Sequence, residues 1–159
     1  MKKIVIANAT PIVSLSAIGR EDILQSLFQQ IIIAEAVAKE LRAQKKPGSV
    51  FPDLKWVEIV PVENLLFARS LQKDIDRGEA ETIALSIQIS ADVVLIDEAA
   101  GYQIAKNFDL PVIRTLSLLK TARQKQIISH VRPLVEEMVR KGRWYPRVLI
   151  EQFLHDLGE

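Results

Sequence analysis

The sequence predicts an α/β protein of three layers: a central parallel sheet between two layers of helices, with further helices at the C-terminal end. Three observations predict it. The runs Ile4-Val5-Ile6-Ala7, Ile31-Ile32-Ile33 and Val93-Val94-Leu95-Ile96 are wholly apolar, as strands covered on both faces are. Segments of helical length and period alternate with them. Of the 159 residues, 48% are hydrophobic, enough for one domain with its own core.

The elements follow in order. Residues 4–7 form the first strand. Thr10-Pro11 supplies an N-cap and a proline suited to the first helical position, so a helix is expected over 11–18, stopped by Gly19. Residues 21–28 form a second helix, with Ile23, Leu24, Leu27 and Phe28 on one face. A strand over 30–33 leads into a helix over 35–43. The stretch 45–53, with Pro47-Gly48 and Pro52, is a loop, and 55–60 is extended. Helices over 64–75 and 79–89 are separated by Asp76-Arg77-Gly78. A β-branched run makes a strand over 92–96. A helix over 99–108 and a strand over 110–113 follow. From Thr115 the chain is helical, with breaks near 128–130 and 142–146. The organisation expected is a domain over 1–126 and a helical extension, 127–159, packed on it.

Composition excludes several classes of function. There is no cysteine, so disulfides, thiolate catalysis and thiolate metal sites are ruled out, and a cytoplasmic protein is expected. No apolar run reaches the length of a bilayer crossing, and the N-terminal run lacks the pattern of a secretory signal. His130 and His155 are too far apart in sequence to suggest a histidine metal site. No Gly-rich phosphate loop follows a strand, which counts against a nucleotide enzyme on a doubly wound sheet. Net charge is +1, but residues 120–147 hold eight Lys/Arg and two acids. That block suits phosphate contacts beside an acidic metal site. It equally suits solvated helix faces.

The chemistry lies in polar residues at the ends of apolar elements. Asn8 ends the first strand, Asp97-Glu98 ends the run 93–96, and Gly78-Glu79-Ala80-Glu81 opens an apolar helix. Buried acids are costly unless something binds them, and a divalent metal is the simplest binder. In an open parallel sheet the ligand crevice lies beyond the carboxyl ends of the strands, where Asn8 and Asp97 stand. Asp97 also reads as a turn or cap residue. At about 100° per residue, Glu79 lies some 40° from Ile83 and faces the core side, while Glu81, roughly 160° away, faces solvent. A simple capping role in the first turn is the lesser alternative for Glu79. On the helix over 35–43, Glu40 flanks the apolar stripe and Glu35 points outward. Glu40 by itself reads as a boundary residue paired with Lys39 or Arg42. Asn8, Glu40, Glu79 and Asp97 together make an all-oxygen donor set suited to Mg²⁺ or Mn²⁺ and to water attack on a phosphodiester. Thr10 is placed to orient a water or phosphate.

These residues carry a family resemblance that covers most of the chain. Ile6-Ala7-Asn8-Ala9-Thr10-Pro11-Ile12-Val13, Glu40, the segment Gly78-Glu79-Ala80-Glu81-Thr82-Ile83-Ala84-Leu85, and Ala91-Asp92-Val93-Val94-Leu95-Ile96-Asp97-Glu98 resemble the successive motifs of PIN-domain proteins. The nearest likeness is to a prokaryotic PIN-like branch with a helical C-terminal extension. The resemblance implies a parallel sheet flanked by helices, and a Mg²⁺- or Mn²⁺-dependent ribonuclease related to the VapC-type toxins of toxin–antitoxin pairs. It also implies a homodimer and, for a toxin, an antitoxin protein partner. It assigns Asn8, Glu40, Glu79 and Asp97 to the catalytic metal site, with Glu98 beside it. Asn8 stands where the family usually has aspartate. An amide oxygen can ligate a metal but brings no charge, so weaker metal binding is expected. An alternative is a PIN-fold module that binds nucleic acid or protein with little or no turnover. Outside the minimal resemblance, Trp144 and Tyr145 lie among Arg140, Lys141, Arg143 and Arg147. Arg140, Arg143 and Trp144 are therefore candidates for holding RNA by phosphate contact and stacking. The aromatics read more simply as packing residues.

Overall fold

The computed structural model describes every residue except Met1, Gln44, Lys46 and Trp144. The chain runs β1 (Val5–Ala7), α1 (Ala9–Ala17), α2 (Asp22–Phe28), β2 (Ile31–Ala34), α3 (Glu35–Ala43), a 3₁₀ turn (Phe51–Asp53), β3 (Val57–Val60), α4 (Leu65–Leu71) and α5 (Arg77–Gln88). It continues through β4 (Val93–Leu95), α6 (Ala99–Asn107), β5 (Val112–Ile113), α7 (Thr115–Gln124), α8 (Arg132–Arg140) and α9 (Arg147–Asp156). The strands form one sheet in the order β3-β2-β1-β4-β5, and every pairing is parallel. Among the described residues nine α-helices flank it, giving the three-layer arrangement expected.

The apolar strands behave as their composition requires. β1 is buried at every position. On β4 alternate side chains divide between the two layers, as the pleat dictates. Val94, and Ile96 just after the strand, pack with Ile75, Ile83 and Val112 on one side. Leu95 joins Ile12, Leu15, Leu118 and Leu119 on the other. Val131, Val135, Met138, Ile150 and Leu154, from the C-terminal helices, belong to that second cluster. No helix among the described residues is long and apolar enough to cross a membrane.

Three expectations are corrected. The cap of α1 is Asn8, not Thr10, because the helix begins at Ala9. Pro11 still falls in the first turn, where backbone N–H groups have no intrahelical partner to lose. The helix expected over 64–75 ends at Leu71, and α5 starts earlier than expected because Asp76 caps it, accepting from the Glu79 N–H at 2.8 Å. The third concerns Glu81, which is buried at 4% exposure. α5 is packed against α3, α4, α6, β1 and β2, and residues 78–86 are all buried. Over residues 78–86 the helix has no solvent face, so its phase does not separate inward from outward acids there.

The basic block is partly neutralised where it lies. Arg132 faces Glu136 and Glu151, Arg123 faces Glu159, and Arg140 pairs with Glu137. Arg123 and Arg132 reach acids on other segments and Arg140 an acid on its own helix, which favours the solvated-face reading for these three cations.

Candidate functional site

β1 and β4 lie side by side, with Ala7 opposite Leu95. The chain order reverses between them: β1 leads to β2 and β3 on one side, β4 to β5 on the other. Such a switch point opens a crevice beyond the carboxyl ends of the strands. Asn8 leaves β1 there, its N–H donating to the Leu95 carbonyl at 3.0 Å. Asp97 and Glu98 leave β4. α3 follows β2 directly and carries Glu40, and the capped start of α5 brings Asp76, Gly78 and Glu79.

Three of these side chains converge on Gly78. A Cβ there would stand 3.0 Å from Glu40 Oε2, 3.3 Å from Asn8 Oδ1 and 3.5 Å from Asp76 Oδ1. Glycine keeps that small space open. Asn8 is 3% exposed. Its Nδ2 donates to Glu98 Oε2 at 3.4 Å, and the Thr10 hydroxyl donates to the other Glu98 oxygen. Asn8 therefore turns its amide nitrogen toward Glu98 and its oxygen toward Glu40 and Asp76.

Glu79 is 5% exposed and lies against Gly101 of α6, where a Cβ would overlap Oε2. Oε2 is buried without a hydrogen-bond partner. Burial, together with the neighbouring charges of Asp76 and Glu98, pushes the carboxyl up to about 8. At neutral pH it is mostly protonated. Asp97 has a different setting. Thr115 donates its N–H to Oδ1 at 2.8 Å and its hydroxyl to Oδ2 at 2.7 Å. Burial raises the Asp97 pKa and Glu98 adds to that, while the Thr115 bonds and Arg114 pull it down.

The structure thus gathers Asn8 and Glu40 at Gly78 and links Asn8, Thr10 and Glu98 by hydrogen bonds. Glu79 stands against Gly101 and Asp97 is tied to the start of α7. Among the described residues no three acidic or histidine side chains are gathered as a cage for an ion. The donors present are nonetheless all oxygens, the type a hard divalent cation takes, and Glu79 supplies one with no other partner. The donor chemistry fits Mg²⁺ or Mn²⁺.

Beside the acids a cavity of about 490 Å³ opens, lined by Thr10, Asp97, Glu98, Arg114, Arg143 and Leu149 among others. Arg143 enters it from the segment after α8, and its Nε donates to Ser14 Oγ at 3.0 Å. Arg140 does not line it and is exposed on α8, bonded to Glu137. Trp144 lies outside the described residues.

Sequence reasoning missed Asp76, Gly78, Gly101, Ser14, Arg114 and Thr115. Asp76 was within reach, because an acid three residues before Glu79 has the spacing of a capping box. The others become visible only through contacts between distant elements.

A family model described as a PIN domain matches residues 4–159. The chain belongs to the PIN-domain family. The match spans all five strands of this PIN domain and continues through α8 and α9. PIN domains are generally nucleases and typically use divalent metal ions. No curated protein matches the chain.

Proposed function

We propose that this PIN domain is a metal-dependent ribonuclease that hydrolyses RNA phosphodiesters with Mg²⁺ or Mn²⁺. The observation that carries the reading is Glu79: a carboxyl buried at the switch-point crevice, with one oxygen unpartnered and its pKa raised to about 8. Strongly perturbed acids in a cleft are candidates for chemistry because folding alone gains nothing from them. Asn8, Glu40, Glu79 and Asp97 are the residues that would hold the ion. A divalent ion held by these residues would supply a water of lowered pKa and offset charge on the leaving oxygen. Thr115 orients Asp97, as hydrogen-bonded neighbours orient metal ligands. Thr10 fixes Glu98 through its hydroxyl, and Glu98 in turn accepts from the Asn8 amide. Arg143, at the edge of the cavity, is placed to meet a phosphate. The toxin role, an antitoxin partner, a homodimer and a cytoplasmic location rest on resemblance and composition alone.

The test is cleavage of single-stranded and structured RNA with Mn²⁺ or Mg²⁺, against an EDTA control. Asp97→Asn is expected to lower cleavage by about 100-fold or more, on the order of 3 kcal/mol in the barrier, with its melting temperature within a few degrees of wild type. Unchanged cleavage in that variant would remove Asp97 from the site.

A second reading, a PIN fold that binds RNA or protein without turnover, is favoured by Asn8 and by the engagement of both Asp97 oxygens with Thr115. Calorimetric Mn²⁺ titration of wild type and Asn8→Asp separates the two. Cleavage that appears only in Asn8→Asp selects the second.

A further inference from the structure

We propose that Tyr145, on the segment between α8 and α9, is a positioning residue for Asp97: with Ser14 and Thr115 it forms a line of hydroxyls that runs from the Arg143 guanidinium to the Asp97 carboxylate. The proposal rests on the reading of Asp97 as a metal ligand of a nuclease and adds what fixes that ligand. Three observations carry it.

The first is the geometry of the line. At one end Arg143 Nε donates to Ser14 Oγ at 3.0 Å. At the other the Thr115 hydroxyl donates to Asp97 Oδ2 at 2.7 Å. The Tyr145 hydroxyl lies between them, 3.4 Å from Ser14 Oγ and with Thr115 as its other hydrogen-bonding side chain. Burial pushes this hydroxyl's pKa up and the Asp97 charge adds to that, while Ser14, Arg143 and Thr115 pull it down. Every other member of the line therefore acts on Tyr145.

The second is the direction of the protons. A hydroxyl has one proton and two lone pairs. Thr115 spends its proton on Asp97, so only a donor can satisfy its oxygen, and Tyr145 supplies one. Ser14 receives from Arg143. Of two hydroxyls 3.4 Å apart either can donate, so the Ser14 proton is free to go to Tyr145. Each dipole then points the same way, from a cation to an anion, and hydrogen bonds aligned in a chain strengthen one another.

The third is the oxygen of Tyr145 itself. Its ring packs against the larger core cluster. Phenylalanine would pack as well, so packing accounts for the ring and not for the hydroxyl. A hydroxyl taken out of water is costly to the fold unless it is hydrogen-bonded, and the bonds it finds here lead to Asp97. The line joins α1, the end of β4, the start of α7 and the segment after α8. The C-terminal segment thereby completes the support of an acid that stands far from it in sequence.

The test is Mn²⁺ affinity, by calorimetry, for wild type, Tyr145→Phe, Thr115→Val and the double variant, with RNA cleavage measured at saturating Mn²⁺. Tyr145→Phe is expected to weaken Mn²⁺ binding about tenfold, the scale of a hydrogen-bonded neighbour of a metal ligand, with a melting temperature within a few degrees of wild type. Thr115→Val is expected to weaken it more. The double variant should bind like Thr115→Val, because Tyr145 acts through Thr115. Cleavage by Tyr145→Phe should fall in kcat, with KM for RNA unchanged within about twofold. If Tyr145→Phe does not fold, Ser14→Ala breaks the line one step earlier and is expected to weaken Mn²⁺ binding about threefold. Wild-type Mn²⁺ affinity in the variant that folds, or losses that simply multiply in the double variant, overturns the positioning role. So does a rise in KM for RNA with kcat and Mn²⁺ affinity intact, which would make Tyr145 a stacking residue. The nuclease reading survives each of these results as long as wild type cleaves RNA with Mn²⁺. Coupled losses of Mn²⁺ affinity in a protein that cleaves no RNA uphold the positioning role and sink the nuclease reading. A wild type that binds no Mn²⁺ overturns both.

Discussion

Glu79 and Glu81 lie two residues apart on α5 and are buried alike, at 5% and 4% exposure. Their surroundings differ. Glu81 Oε1 accepts from the Ala36 N–H at 3.2 Å and Oε2 from Arg77 Nε at 2.9 Å. It closes the N-terminal turn of α3, where a negative charge is favoured, and it ties α3 to α5. Glu79 lies against Gly101 with one oxygen that has no hydrogen-bond partner. Burial therefore does not mark a functional acid. What distinguishes Glu79 is one oxygen left without a hydrogen bond, in a buried position beside like charges, which makes its burial costly to the fold.

The sharpest way to break this contrast is to remove Glu81. Glu81→Ala strands the Ala36 N–H and leaves Arg77 without its partner, and it is expected to cost about 2–4 kcal/mol. Denaturant unfolding with an unchanged m-value checks this. A loss below about 0.5 kcal/mol would mean that Glu81 is not a structural acid.

Glu79→Gln is expected to act with the opposite sign, and only at higher pH. A carboxyl whose pKa is higher in the folded state than in the unfolded chain contributes stability that is fully present below the unfolded value, near 4.5, and is lost as pH rises to about 8. Metal-free wild type should therefore weaken between about pH 5 and 8, and the glutamine variant should weaken less. The gap between the two should open by about 1–3 kcal/mol over that window. Urea unfolding in EDTA at the two pH values reads it. Parallel pH profiles would show that Glu79 is not held protonated. The same variant should bind Mn²⁺ at least tenfold more weakly.

The smallest effect on stability is expected at Gly101. Alanine there overlaps Glu79 Oε2 and crowds Ile96 Cγ2 at 3.1 Å. The flexible carboxyl can turn away, and alanine gains about 1 kcal/mol of helix propensity over glycine. Gly101→Ala should stay within about 1 kcal/mol of wild type while Mn²⁺ affinity, read by calorimetry, falls about tenfold. Unchanged affinity would show that the position of Glu79 against α6 does not matter to the site.

Much of the fold was legible in the sequence. The all-apolar runs could only be buried strands, and the alternation with helices required a parallel sheet. The carboxyl ends of β1 and β4 then located the crevice, with Asn8 and Asp97 beside it. Less of the site was legible. Asp76 has the spacing of a cap, but nothing local says that it would face Asn8 and Glu40 across Gly78. Helix phase placed Glu79 inward for a valid reason and failed at Glu81, because periodicity assumes a helix with a solvent side.

By itself the sequence determined the layers, the position of the crevice and the oxygen character of its donors. These follow from hydrophobic pattern and residue type, which are local properties. Only the tertiary structure decided which acids are satisfied and which are not. Glu81 meets Ala36, Asp97 meets Thr115, and Ser14 meets Arg143 and Tyr145 across separations of 45, 18, 129 and 131 residues. A hydrogen bond depends on the position of both partners, and for partners this far apart those positions exist only after the chain has folded.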